Sequence, residues 1–363
     1  MSKLNTAFLL LLSFLTQVHS QSTVSTPIVG FVNTSALPAS DTIVSPQILR
    51  PSEFSSSVTG VTISPDQITA VLSLGTSGLT SDQFKYVVST QPKTYFALVK
   101  SGTLAGSYFS VVSNTPSSIT VNLDGLTPSS SDILSIEVRP FWTLNTLFPP
   151  SSANVSFVPS TGTTTAGRRT QLLLPDNIST GQNRSLSRVY FYNPTLSDWV
   201  LTTATSTRAG DQIIEPSGYL VLRNTGGTPP TLAITTSGAV LTDPMGIYLA
   251  TSSTRINDNY LTLPRASDYK LSEIGFTDTN FVQSTSKTTG GRRDTVLVLN
   301  QTGSGLNRAP SKVYFKFGNA WYDTTATANP VDPVIPAGSA LIVRKVVADG
   351  FDKLVNNTSN FTP

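Results

Sequence analysis

The sequence predicts an all-β protein: a small N-terminal β-barrel or sandwich, then a pseudo-duplicated β-sandwich or barrel. Three observations carry this. Apolar residues are 38% of the 363 and fall in short β-branched runs. Charged residues are only 12%, against roughly 25% in ordinary globular proteins, and Ser, Thr, Gly and Pro fill the gap. Finally, one motif occurs twice. The first copy runs Gly167-Arg168-Arg169-Thr170, Asn183-Arg184, Ser187-Arg188-Val189-Tyr190-Phe191 and Trp199. The second runs Gly291-Arg292-Arg293-Asp294, Asn307-Arg308, Ser311-Lys312-Val313-Tyr314-Phe315 and Trp321. Both continue Thr-Thr-Ala-Thr, then a Pro-x-Gly turn and an apolar strand ending in Arg223 or Arg344.

In chain order, residues 1–20 read as a secretory signal peptide. Lys3 supplies the charge, Ala7 to Leu15 an apolar stretch too short to span a bilayer, and Val18 and Ser20 the small residues of a cleavage site. An exported protein is therefore expected: extracellular, at the cell surface, or periplasmic. Residues 21–57 hold lead-in strands at Ile28 to Val32 and Asp41 to Ser45. Pro27, Gly30 and Asp41 are echoed by Pro244, Gly246 and Asp258, so residues 58–158 read as an insertion into the first copy. Within that insertion, Val61 to Leu72 and Tyr108 to Leu123 are hairpins and Leu134 to Arg139 is a further strand. It closes on the string Phe141 to Pro150, an interdomain plug or, if Trp142 is exposed, an aromatic ligand platform.

The duplicated domain spans 159–353, with copies at 166–224 and 290–345. Leu172 to Leu174 and Val296 to Leu299 are continuous apolar runs, which predicts strands buried on both faces. Tyr192 to Trp199 and its shorter counterpart at Gly318 to Ala320 read as one hairpin with two turn lengths. Thr231 to Leu241 reads as a hairpin through Gly238, Lys270 to Phe276 as a short helix, and 354–363 as a flexible tail.

Composition excludes much chemistry. The chain has no cysteine, and its one histidine, His19, lies in the leader. The usual zinc, copper and iron sites and any His-based triad are thereby ruled out of the mature chain, and no cofactor or metal is expected. The formal charge is +3 without clustered Lys or Arg, so nucleic acid is not an expected partner. Asn257-Asp258-Asn259 is too short for an EF-hand loop. Glu53, Glu137, Glu215 and Glu273 are the only glutamates, none in a recognisable catalytic context, and Glu215 merely precedes a turn. Asn-x-Ser/Thr triplets at Asn154, Asn177, Asn183 and Asn300 are ascribed to a Ser/Thr-rich composition.

Two sets of residues are ligand candidates. Arg168, Arg184, Arg292 and Arg308 could form an anionic-glycan site, although one arginine of each Gly-Arg-Arg pair is expected to be held by a nearby carboxylate. Trp142, Trp199 and Trp321 could stack on sugars, although recurrence of their neighbours favours packing for the latter two. The leading expectation is a non-enzymatic exported protein with a structural or adhesive role. A carbohydrate-binding protein, with envelope or extracellular polysaccharide as partner, comes second. Carboxylate-based glycoside hydrolysis comes third.

Three signatures together resemble a known family: the Gly-Arg-Arg, Asn-Arg, Tyr-Phe and Trp repeat; the Pro-x-Gly strand ending in Arg; and Phe141-Trp142-Thr143-Leu144-Asn145-Thr146-Leu147-Phe148-Pro149. The family is a set of secreted proteins of Verrucomicrobia-like bacteria, often present as paralogues and without an assigned function. The resemblance implies a bacterial, exported protein and supplies no catalytic residues.

Overall fold

A computed structural model describes residues 28–75, 78–88, 90–150, 156–226, 228–299, 303–348 and 350–356. The leader and the triplets at Asn154 and Asn300 lie outside the described residues. The chain is all-β, as expected. Strands β1 (Val29–Ala36) and β2 (Ser40–Val44) come first. β3 (Phe54–Ile63), β4 (Thr69–Leu74), β5 (Tyr95–Ser101), β6 (Tyr108–Thr115), β7 (Ser118–Asn122) and β8 (Ser135–Pro140) then close a six-stranded barrel in the order β3-β4-β7-β6-β5-β8. Alternate side chains such as Leu72, Phe109, Ile119 and Val138 fill it, as the period of two requires. Bulges at Val58/Gly60 and Val111/Ser113 give its strands the extra bend that closure needs.

The chain then returns to the first copy with β9 (Trp142–Thr143), one helical turn α1 (Leu144–Leu147), β10 (Thr170–Leu174), β11 (Arg188–Asn193), β12 (Asp198–Leu201), β13 (Ala204–Arg208), β14 (Ile213–Ile214), β15 (Leu220–Asn224) and β16 (Leu232–Ala239). The second copy supplies β17 (Met245–Ala250), β18 (Asn257–Leu261), β19 (Tyr269–Lys270), β20 (Thr295–Leu299), β21 (Pro310–Phe317), β22 (Ala320–Asp323), β23 (Ala326–Val331), β24 (Val334–Ile335), β25 (Leu341–Lys345) and β26 (Phe351–Asn356). Each copy builds the same six-stranded sheet, β13-β12-β11-β10-β15-β2 and β23-β22-β21-β20-β25-β18. Each adds the same two small pairings: β1 with β16 and β9 with β14, matched by β17 with β26 and β19 with β24. The repeat unit thus begins at β1, and the barrel interrupts its first copy between β2 and β9.

The continuous apolar runs have a plain cause. Leu172 and Leu174 point into the first copy's core with α1 and Phe148; Leu173 points the other way. Val296 and Val298 enter the second copy's core, and Leu297 points the other way. Leu173, Leu297, Ile43, Tyr219, Val221, Tyr260 and Ile342 meet in one shared layer, which joins the two sheets.

Several expectations need correcting. Trp142 and the string after it do not end the barrel; β9, α1 and Phe148 belong to the first copy. Thr231 to Leu241 is no hairpin but the single strand β16, and Gly238 sits in it because a Cβ there would come within 2.3 Å of the Leu49 carbonyl. Lys270 to Phe276 contains only a 3-10 turn at Leu271–Glu273, while the helical turn at Leu144–Leu147 went unforeseen. Residues 354–356 are not tail: they complete β26 against β17. Residues 357–363 lie outside the described residues. The two hairpin turns differ as expected, and Gly318-Asn319 makes the tight one with φ of 57° and 63°, the left-handed pair a two-residue turn demands. Among the described residues no helix is long and apolar enough to cross a membrane.

Candidate functional site

The repeated arginines and tryptophans are taken up inside the molecule. Trp199 is 0% exposed, enclosed by Phe148, Phe157 and Tyr192, and its indole N–H donates to the Phe148 carbonyl at 3.1 Å. Trp321 is 6% exposed between Phe276 and Phe281. Neither has a face left for a sugar. Arg168 lies over the Phe191 ring and donates to the carbonyls of Thr163 and Thr202; Arg292 does the same with Phe315, Lys287 and Thr324. Rings and carbonyls, not the expected carboxylates, hold them.

Arg184 and Arg308 belong to a reciprocal clasp between the copies. Asn183 has φ of 50° and Asn307 52°, the left-handed region that asparagine tolerates better than most residues. That turn aims the Asn183 N–H at the Asp258 carboxylate and the Asn307 N–H at Asp41, both at 2.7 Å. Arg184 then donates to the Asp258 carbonyl and Arg308 to that of Asp41. Within each sheet, Arg223 grips Asp41 through two hydrogen bonds and Arg344 grips Asp258 likewise. Each copy's Asn-Arg turn therefore caps the other copy's buried aspartate. Trp142 alone keeps an edge to solvent. It is half-buried, donates to the Ile48 carbonyl at 2.9 Å, and has Arg50 5.8 Å from its ring in a shallow groove.

A cavity of about 460 Å³ lies elsewhere, where the barrel meets both copies. The barrel contributes Tyr108, Ser110 and Asp124. The first copy contributes Asn177, Arg188, Glu215 and Ser217, and the second Tyr248, Tyr260 and Phe351. Ile178, 88% exposed, and Phe351, 63% exposed, put apolar side chains at its edge. The surrounding seam is well tied. Tyr108 donates to Glu215 at 3.1 Å, the Ser107 and Tyr248 hydroxyls meet at 2.8 Å, and the Gly246 N–H donates to the Gly106 carbonyl at 2.9 Å. Gly106 is required at that contact: its φ is 86°, and a Cβ would stand 2.8 Å from the Pro244 carbonyl.

Glu215 is open to water from the cavity yet ringed by protein. Burial pushes its carboxyl above the ordinary value, and Asp124 adds repulsion that the Tyr108 hydrogen bond and Arg188 only partly offset. Burial also raises Asp124. Tyr108 is held well above its usual range by burial and by the Glu215 charge. Two carboxyls, one guanidinium and several phenol rings thus face one recess.

The duplication marks this place as altered. Between equivalent strands, Glu215 corresponds to Pro336 and Tyr219 to Ala340. Arg188 corresponds to Lys312, which is paired with Asp323 at 2.7 Å; the residue matching Asp323 in the first copy is Leu201. Arg188 instead donates to the Pro175 carbonyl at 3.3 Å and faces the cavity. Sequence reasoning singled out what the copies share and so passed over Glu215 and Arg188. The available signal was the converse: polar substitutions at positions where the copies disagree. Scans against protein-family models, curated proteins and solved structures find no match.

Proposed function

We propose that this chain is a non-enzymatic adhesive protein acting outside the cell, and that the three-way cavity is its ligand seat for a saccharide. One observation carries the reading: the internal symmetry is broken in favour of Glu215, and of an Arg188 that lacks the cross-strand carboxylate of its counterpart Lys312, where the three-way cavity lies. A sugar presents apolar C–H faces ringed by hydroxyls. Tyr108, Tyr248 and Phe351 offer aromatic faces, Glu215 and Asp124 accept from hydroxyls, and Arg188 and Asn177 donate. The volume suits one or two rings, and such recesses typically measure about 300–1,000 Å³.

Binding would be measured by titration calorimetry against oligosaccharides recovered from a glycan array. Glu215→Gln and Arg188→Ala should each weaken a hit at least tenfold, while Arg50→Ala, in the Trp142 groove, should not. Unchanged binding in both cavity variants would remove the cavity from the proposal. A second reading, carboxylate-based hydrolysis, is favoured by the two raised carboxyls in one recess. Release of new reducing ends from a bound glycan, lost in Glu215→Gln, would put hydrolysis in place of adhesion.

A further inference from the structure

The second copy buries a charged pair at a place where the first copy does without one. Asp294 precedes β20 and Lys345 ends β25, and the register Thr295 with Arg344 sets them opposite each other on adjacent strands. Asp294 is 0% exposed and Lys345 1%. The Lys345 ammonium contacts the Asp294 carboxylate, the Asn280 carbonyl at 2.8 Å and the Asp352 carboxylate at 2.9 Å, with the Phe281 ring 5.7 Å away. The equivalent residues in the first copy are Thr170 and Asn224, both fully buried. Thr170 accepts the Val158 N–H as Asp294 accepts that of Val282, and Asn224 donates to the carbonyls of Leu37 and Pro230. Neutral side chains therefore occupy this corner of the fold, with the Asn224 Oδ1 left without a hydrogen-bond partner. A buried ion pair commonly adds nothing to stability over well-packed neutral groups, so packing alone does not account for an amine, a carboxyl and a second acid gathered here.

We propose that Lys345 and Asp294 condense to an intramolecular amide, with Asp352 carrying protons. The pair reacts as amine and carboxylic acid. One proton crossing their contact produces that form. The Nζ lone pair attacks Asp294 Cγ and the N–C bond forms. Asp352 accepts a proton from the nitrogen and delivers one to the departing oxygen. The C–O bond breaks and one water leaves, through the side where Asp352 is 27% exposed. No oxidant, metal or nucleotide is consumed. The fold supplies the proximity that makes such a step unimolecular. The product ties β20 to β25 beside the last strand, in a chain whose lack of cysteine denies it a disulfide there.

The test is peptide mapping by mass spectrometry of the folded full-length chain, which does not depend on how its N-terminus is processed. The peptides carrying Asp294 and Lys345 should be recovered as one branched species, lighter than the two together by one water, about 18 Da. Asp294→Asn should still crosslink but lose ammonia instead. Asp352→Asn should fold, by circular dichroism, and leave most of the pair unjoined. Separate, unmodified Asp294 and Lys345 peptides from the folded parent would overturn the proposal and leave an ion pair only. Crosslinking as complete in Asp352→Asn as in the parent would overturn the part given to Asp352.

Discussion

The two copies of the repeat share the side chains that frame their cores and part company at a few positions, several of which carry ionisable groups. Both keep the same six-strand ladder, the buried tryptophan, the arginine laid on a phenylalanine ring and the aspartate clasped by the other copy. The first copy alone carries the barrel, Glu215 and an arginine without a carboxylate across the strand pair. The second alone carries Lys312 paired with Asp323, and Lys345 with Asp294. A motif that recurs with its neighbours is thus a record of the core, and a departure from it points to surface or reactive positions.

Breaking what the copies share should have the largest effects. Asp258 is fully buried with Arg344, Asn183 and Arg184 around it. Removing one partner of such a pair costs about 3–5 kcal/mol, so Asp258→Ala and Asp41→Ala should each lower urea-unfolding stability by that order. Because both clasps close one interface, the double variant should lose less than the two single losses added together. Full additivity would mean that the clasps act independently. Trp199→Ala should come next, at about 3–4 kcal/mol, and Trp321→Ala below it, since Trp199 is the more enclosed. Equal melting of either variant and the parent would contradict the packing role.

Much of the fold was legible because β-strands advertise themselves by spacing. The runs Leu172 to Leu174 and Val296 to Leu299 announced two buried faces, and the shared layer between the sheets supplies the second face. Trp142 and Phe148 were placed in the wrong unit because a string broken by prolines looks like a boundary, whereas its pairing with β14 is fixed by distant residues. The partners of Arg184 and Arg308 could not be read, since each lies in the other copy and sequence separation hides a reciprocal contact. Glu215, set aside as a residue before a turn, could not be placed for a related reason. Its surroundings come from three units of the chain, and only their assembly turns a residue before a turn into a recessed carboxyl.

The smallest effects concern pH, and there the copies should show opposite signs. In the second copy burial would raise Asp323, but Lys312 and Thr325 outweigh it and hold the carboxyl at about 2, below its ordinary 3.8. Its contribution to stability is therefore present above pH 3.8 and lost as pH falls toward about 2. Lys312→Met should be less stable than the parent at neutral pH and converge with it in acid.

Glu215 runs the other way. Its carboxyl is raised above 4.5 by burial and by Asp124, so the folded chain holds that proton more tightly than the unfolded chain does. The favourable contribution is complete below pH 4.5 and is lost as pH rises through the folded value. Glutamine keeps the shape of the neutral acid and cannot ionise. Glu215→Gln should therefore melt with the parent at about pH 4 and slightly above it at about pH 8, the gain held down by solvent screening of a side chain that is open to water. A gain in stability joined to a loss of ligand is what a recess kept for binding should show. Equal melting at both pH values would mean that the carboxyl is not held against its preference, and a lower melting point at high pH would mean that it supports the seam between barrel and repeats.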